Sequence, residues 1–239
     1  MRNSLQIAKI FGIPIKIHIS FLLVLPFFTW IFAIQPEPFG FAGIESEPVK
    51  YLLSLLTAIL LFASVLAHEL AHSYFSLRYG GSISEITLYL IGGVSSMKEE
   101  LHDPASEAKM AFVGPFSSIV IGIVLLAFNY LFNPTVSPSE GGPFFLMVFI
   151  LGYINIILGL FNLIPAFPMD GGRILRAFFA QRMGFVEATE KAASIGKIFA
   201  FLMGIIGLFI SFWLILIAFF VYMGASGEER QVKNRYGKL

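Results

Sequence analysis

His68, Glu69 and His72 are the residues of this chain whose types and spacing are best suited to chemistry. On a helix, His68 and His72 lie one turn apart on one face, so both imidazoles can reach a single cation. Glu69 stands beside them, where a carboxylate can take a proton from a water that the cation activates. The chain contains no cysteine, so thiolate ligands are excluded and a metal must be held by His, Asp or Glu. This donor set with an adjacent base points to zinc, one ion per chain, and to hydrolysis. The blander alternative is a pair of helix histidines packed in a polar pocket.

A catalytic zinc keeps three protein ligands and an open position. Asp170 is the candidate third ligand, within Asn162-Leu163-Ile164-Pro165-Ala166-Phe167-Pro168-Met169-Asp170-Gly171-Gly172-Arg173. The two prolines break any helix there and the paired glycines allow close backbone approach, so Asp170 is expected to project from an irregular segment. Such backbone is tolerated at membrane depth only inside protein or against a water-filled cavity. Alternatively, Asp170 caps a helix starting near Gly171 or pairs with Arg173.

The elements that must position these groups are those of a membrane protein. The chain is 57% hydrophobic and only 13% charged, with a mean hydropathy of +0.82, well outside the range of soluble domains. A net charge of +1 with no basic patch gives no sign of a nucleic-acid partner. No long apolar core follows Arg2, so the start does not read as a cleavable signal peptide. Six candidate spans cover 18–34, 52–77, 107–132, 143–164, 188–208 and 211–225. The expected fold class is an α-helical polytopic membrane protein, six transmembrane helices with a small membrane-associated β-sheet. One domain spans 1–226, and a polar cytoplasmic tail covering 227–239 reads as an exposed end.

Of the 16 Lys and Arg residues, only Lys50 falls on the far side if both termini face the cytoplasm, a strong positive-inside assignment. A continuous helix rises about 26 Å from Tyr51 to His68 and about 15 Å from His68 to Arg78. That puts the site in the cytoplasmic half of a cell-membrane bilayer.

The stretch 82–97 is rich in β-branched residues and reads as a strand or hairpin, with 5–17 as a candidate pairing partner. Its edge could accept an extended peptide, with Gly92 and Gly93 permitting close approach. His18 reads as a hydrogen-bonded interfacial or core histidine, His102 as solvated, and Arg173 and Arg176 as interface anchors. Asn155 reads as a packing residue, using its amide between helices.

His68-Glu69-x-x-His72, with Asn162 and Pro165 leading to Pro168-x-Asp170-Gly171, resembles the site-2 protease family of intramembrane metalloproteases. Phe11-Gly12-Ile13-Pro14-Ile15-x-x-His18, Gly92-Gly93 and Gly114-Pro115 are similar to its compact prokaryotic branch. The resemblance implies zinc on His68, His72 and Asp170, Glu69 as general base, and Asn162 in contact with the substrate or its reacting carbonyl. It implies a single-pass transmembrane protein as substrate, in the lipid bilayer, with a site-1-type protease acting upstream. Two other readings carry different tests. Membrane proteases that trim prenylated proteins use a Glu as third ligand, and no Glu follows in a comparable context. A metal-transporting or metal-sensing protein needs polar residues across the whole membrane, and the outer halves of these spans are almost bare of them.

Overall fold

A computed structural model describes residues 4–89, 92–99, 103–135, 137 and 140–236. The expectation for His102, and residues 90–91 of the expected strand or hairpin, lie outside these residues. Strands β1 (Ser4–Ile10) and β2 (Ile13–His18) precede the short helix α1 (Phe21–Ile34) and the long helix α2 (Glu47–Arg78). Strands β3 (Ser82–Tyr89) and β4 (Gly92–Glu99) then lead to helices α3 (Pro104–Phe132) and α4 (Pro143–Asn162). Helices α5 (Asp170–Ala180), α6 (Phe185–Ile210) and α7 (Phe212–Tyr236) complete the order.

Five of these helices, α2, α3, α4, α6 and α7, are long and apolar enough to cross a membrane. The sixth expected span is corrected. Residues up to His18 are drawn into the sheet as β2, which leaves α1 with 14 residues. That is about 21 Å of rise, short of a hydrocarbon core of about 30 Å. Beyond residue 226, α7 continues to Tyr236, and Glu229 pairs there with Lys197 and Lys233. Polar residues on successive turns thus find partners on the neighbouring helix α6.

The chain divides into two compact units, Met1–Glu100 with Phe116–Gly159, and Leu101–Pro115 with Leu160–Leu239. In the first unit the four strands lie in the order β1-β2-β3-β4, antiparallel within each hairpin and parallel where β2 meets β3. The β2–β3 pairing sets Ile15 opposite Ile86 and Ile17 opposite Leu88. Ile13, Ile15 and Ile86 bury one face of the sheet against Leu66 and Leu70 of α2, while Leu88 packs with Phe21, Val24 and Phe62. Phe62, Leu66 and Leu70 recur at four-residue steps, so one stripe of α2 is the floor on which the sheet rests.

Apolar side chains from α1, α2 and α4 form the main core of this unit around Phe32, Phe41, Leu61 and Ile150. Several polar side chains inside it make hydrogen bonds. The hydroxyls of Ser54 and Thr57 donate to the carbonyls of Lys50 and Leu53, and the amide of Asn155 donates to Ser64 and Leu151. Helices α3 and α4 approach closely at Gly122 and Gly152, where any side chain on Gly122 would meet the Gly152 carbonyl at 2.8 Å.

Candidate metal centre

The His68–His72 pair lies on α2, one turn apart, and both rings are buried (5% and 7% exposed). Their Nε2 atoms converge to 3.1 Å, with the ring planes at 78° to one another. The Nδ1 of His68 lies 2.9 Å from the Oγ of Ser118 on α3. A neutral imidazole carries one N–H, so donation from Nδ1 to Ser118 leaves Nε2 as a lone-pair donor. Two zinc-bound nitrogens at 2.0–2.1 Å in a tetrahedral site sit about 3.3 Å apart. The observed separation and the buried, all-imidazole donors on this helix fit a divalent cation of that kind.

Glu69 projects toward the sheet side of α2, and β4 is threaded directly across it. A Cβ built on Gly93 would stand 2.5 Å from the Cγ of Glu69, 3.2 Å from its Cδ and 3.5 Å from Oε1. Only a residue without a side chain allows this strand to pass so close. Gly92 and Gly93 open β4, paired with Tyr89 and Leu88, and β4 is an edge strand of the sheet. Sequence reasoning found these glycines but read them only as room for a peptide; their proximity to Glu69 is a tertiary fact.

In the second unit, Asp170 is the first residue of α5 and is buried (9% exposed). The expectation that it projects from irregular backbone is corrected: the irregular segment ends at Met169, the N-cap residue. Segment 163–169 is folded tightly over the start of α5. A Cβ on Gly171 would strike the Ile164 carbonyl at 2.2 Å, and one on Gly172 the Phe167 nitrogen at 2.6 Å. Gly224 of α7 gives way to Pro168 in the same manner. The glycines after the aspartate thus let the proline-containing turn lie on the helix end and fix where the carboxylate begins.

The other end of α5 is held by charge. Arg176, expected at an interface, is instead buried, because two carboxylates compensate it. Its Nε donates to Glu107 at 2.9 Å and its Nη1 to Glu228 at 2.6 Å. The guanidinium also stands 5.3 Å from the Phe167 ring and 4.7 Å from the Phe185 ring. Contact with Phe167 links this ion network back to the turn before Asp170. Neither Glu107 nor Glu228 carried a sequence signal, since each reads as an ordinary charge near a helix end.

Nδ1 of His18 lies 2.9 Å from the Ser20 hydroxyl, and its ring packs on Tyr89, so it takes a structural part. Asn155 makes the interhelical bond anticipated for it. Asn162 ends α4, half-buried, and stands in the second unit.

The family model described as Peptidase family M50 matches residues 56–143 and 139–206, which include His68, Glu69, His72, Asn162 and Asp170. The chain belongs to peptidase family M50. A zinc metalloprotease of Methanocaldococcus jannaschii is 39% identical to this M50 chain over 98% of its length and 62% of the relative's. Rip3 of Mycobacterium tuberculosis, named as a zinc metalloprotease, is 33% identical over 98% of the chain and 61% of the relative. The chain thus spans about three-fifths of the length of the curated relatives it matches. A solved site-2 protease from Methanocaldococcus jannaschii superposes with a TM-score of 0.65 at 39% identity, covering 95% of both chains. The M50 chain therefore has the site-2 protease fold, with several membrane-length helices and a small sheet.

Proposed function

We propose that this chain is an intramembrane zinc metalloendopeptidase that cuts transmembrane helices of single-pass membrane proteins. The observation that carries the reading is the convergence of two buried imidazole nitrogens to 3.1 Å inside a membrane-length helix, with a carboxylate next in sequence. His68 and His72 hold one zinc per chain and Asp170 completes the protein ligands. Support for Asp170 comes from the family pattern that its stretch of sequence resembles and from its buried carboxylate at the start of α5. Zinc held there supplies a Lewis acid and lowers the pKa of bound water to about 7.

The protein residues do the rest. Glu69 accepts the proton of the attacking water and returns it to the leaving amine as the peptide bond breaks. The amide of Asn162 contacts the substrate and steadies its reacting carbonyl. A helical peptide bond is shielded and already hydrogen-bonded, so the substrate must unwind before it can react. The free edge of β4 is suited to receive the unwound segment as an added strand, with Gly92 and Gly93 leaving room for its backbone.

The charge asymmetry supports cytoplasmic termini and a site in the inner half of the bilayer. Because α1 is short, this topology requires α1 and its flanking residues to take the chain across together. A partner expected upstream is a site-1-type protease that shortens the substrate first.

The test joins zinc content to cleavage of a tagged single-pass substrate. Glu69→Gln is expected to retain zinc and lose cleavage, whereas His68→Ala, His72→Ala and Asp170→Ala lose both. Cleavage by the Glu69→Gln protein at the wild-type rate would overturn the assignment.

A further inference from the structure

Ser118 differs from the other well-placed hydroxyls of these helices. Ser54, Thr57 and Ser64 each return their hydroxyl to a carbonyl four residues back on their own helix, the usual way a membrane helix satisfies such a group. The Oγ of Ser118 instead lies 2.9 Å from Nδ1 of His68, a residue 50 positions away on another helix. Ser118 is completely buried and His68 nearly so, so water does not compete for this bond.

The position of α3 that brings the hydroxyl there is itself fixed. One turn further along, at Gly122, the backbones of α3 and α4 meet too closely for any side chain. Bulk at Gly122 would force α3 away from α4 and so shift the place where Ser118 stands. Ser118 therefore presents a rigidly placed acceptor to one nitrogen of a ring whose other nitrogen faces His72 at 3.1 Å.

We propose that Ser118 is the positioning residue of this metal centre: it takes the Nδ1–H of His68 and so commits Nε2, by tautomer and by ring orientation, to the cation. The inference rests on the zinc reading above. Partners of this kind orient metal-binding histidines and raise their basicity, and losing one costs about 10–100-fold in metal affinity. Ser118 touches neither substrate nor ion and is not a catalytic residue.

The experiment measures zinc affinity by chelator competition for the full-length protein in detergent, as wild type, Ser118→Ala, Ser118→Thr and Ser54→Ala. Zinc binding is expected to weaken about 10–100-fold in Ser118→Ala. Ser118→Thr, which keeps the hydroxyl, and Ser54→Ala, which removes a buried hydroxyl elsewhere, should bind as wild type does. Nitrogen NMR of the zinc-free protein gives a second readout, with His68 expected as the Nδ1–H tautomer in wild type and as a mixture in Ser118→Ala. Equal zinc affinity in wild type and Ser118→Ala, or an Nε2–H tautomer in wild type, would overturn the proposal. A wild-type protein with the expected tautomer but no affinity for zinc would overturn the metal reading instead, leaving Ser118 as an orienting group for His68.

Discussion

Replacing Gly93 by alanine places a methyl group where the side chain of Glu69 already is. The new Cβ would lie 2.5 Å from Cγ and 3.2 Å from Cδ of Glu69, whereas carbon atoms rest at about 3.5–4.0 Å. The carboxylate stem must therefore retreat by about 1 Å or turn to another rotamer, since backbone pairing holds β4 to β3. A misplacement of about 1 Å in a reacting group can cost about 100-fold in rate, equivalent to about 2.7 kcal/mol of barrier. We expect Gly93→Ala to keep its zinc and its thermal stability, to lose about 100-fold in kcat, and to show little change in KM. The assay is cleavage of a single-pass helical substrate in detergent, with zinc measured on the same preparation. A raised KM at unchanged kcat would mean that Gly93 serves substrate docking alone. Wild-type kcat in a zinc-loaded Gly93→Ala protein would refute the link between this strand and the base.

Other predictions follow from the same contacts. Arg176→Ala leaves Glu107 buried without its cation and should destabilise the protein by about 3–5 kcal/mol, read by unfolding in detergent. The hydrogen bond from Lys16 is the largest influence on Glu85 and holds its carboxyl below the usual range. That contribution is present above the unfolded carboxylate value of about 4.3 and is lost as pH falls through the lower folded value. Lys16→Met should accordingly flatten the decline in stability between neutral and acidic pH; an unchanged decline would refute it. The absence of native cysteine allows a direct topology test with single-cysteine variants. An impermeant maleimide should label Ser4→Cys and Asn234→Cys from the cytoplasmic face and Ser46→Cys from the opposite one. Labelling of Ser4 and Ser46 from the same face would show that α1 does not carry the chain across.

The parts of the protein that announce themselves along the chain are those set by near neighbours. His68 and His72 share a face because they are four residues apart on a helix, which needs no tertiary information. The apolar lengths of α2, α3 and α4 and the β-branched run of β3 are legible for the same reason. Errors arise where one segment competes for residues with another. The first expected span, 18–34, reads as membrane-length, yet His18 closes β2 and the helix begins only at Phe21, which leaves it 14 residues. Arg176 reads as an interface anchor because its two carboxylate partners stand 69 and 52 residues away. Such a pairing has no periodicity to betray it.

By itself, then, the order of residues determined a membrane-embedded chain with a paired-imidazole site and a carboxylate beside it, because helix geometry and hydropathy act over a few positions. Only the tertiary structure decided that Ser118 orients His68, that Gly93 lies against Glu69, and that Arg176 is buried as a clamp on α5. Each of those contacts joins residues at least 24 positions apart, and each exists because burial makes an unpaired polar group or an extra methyl group costly.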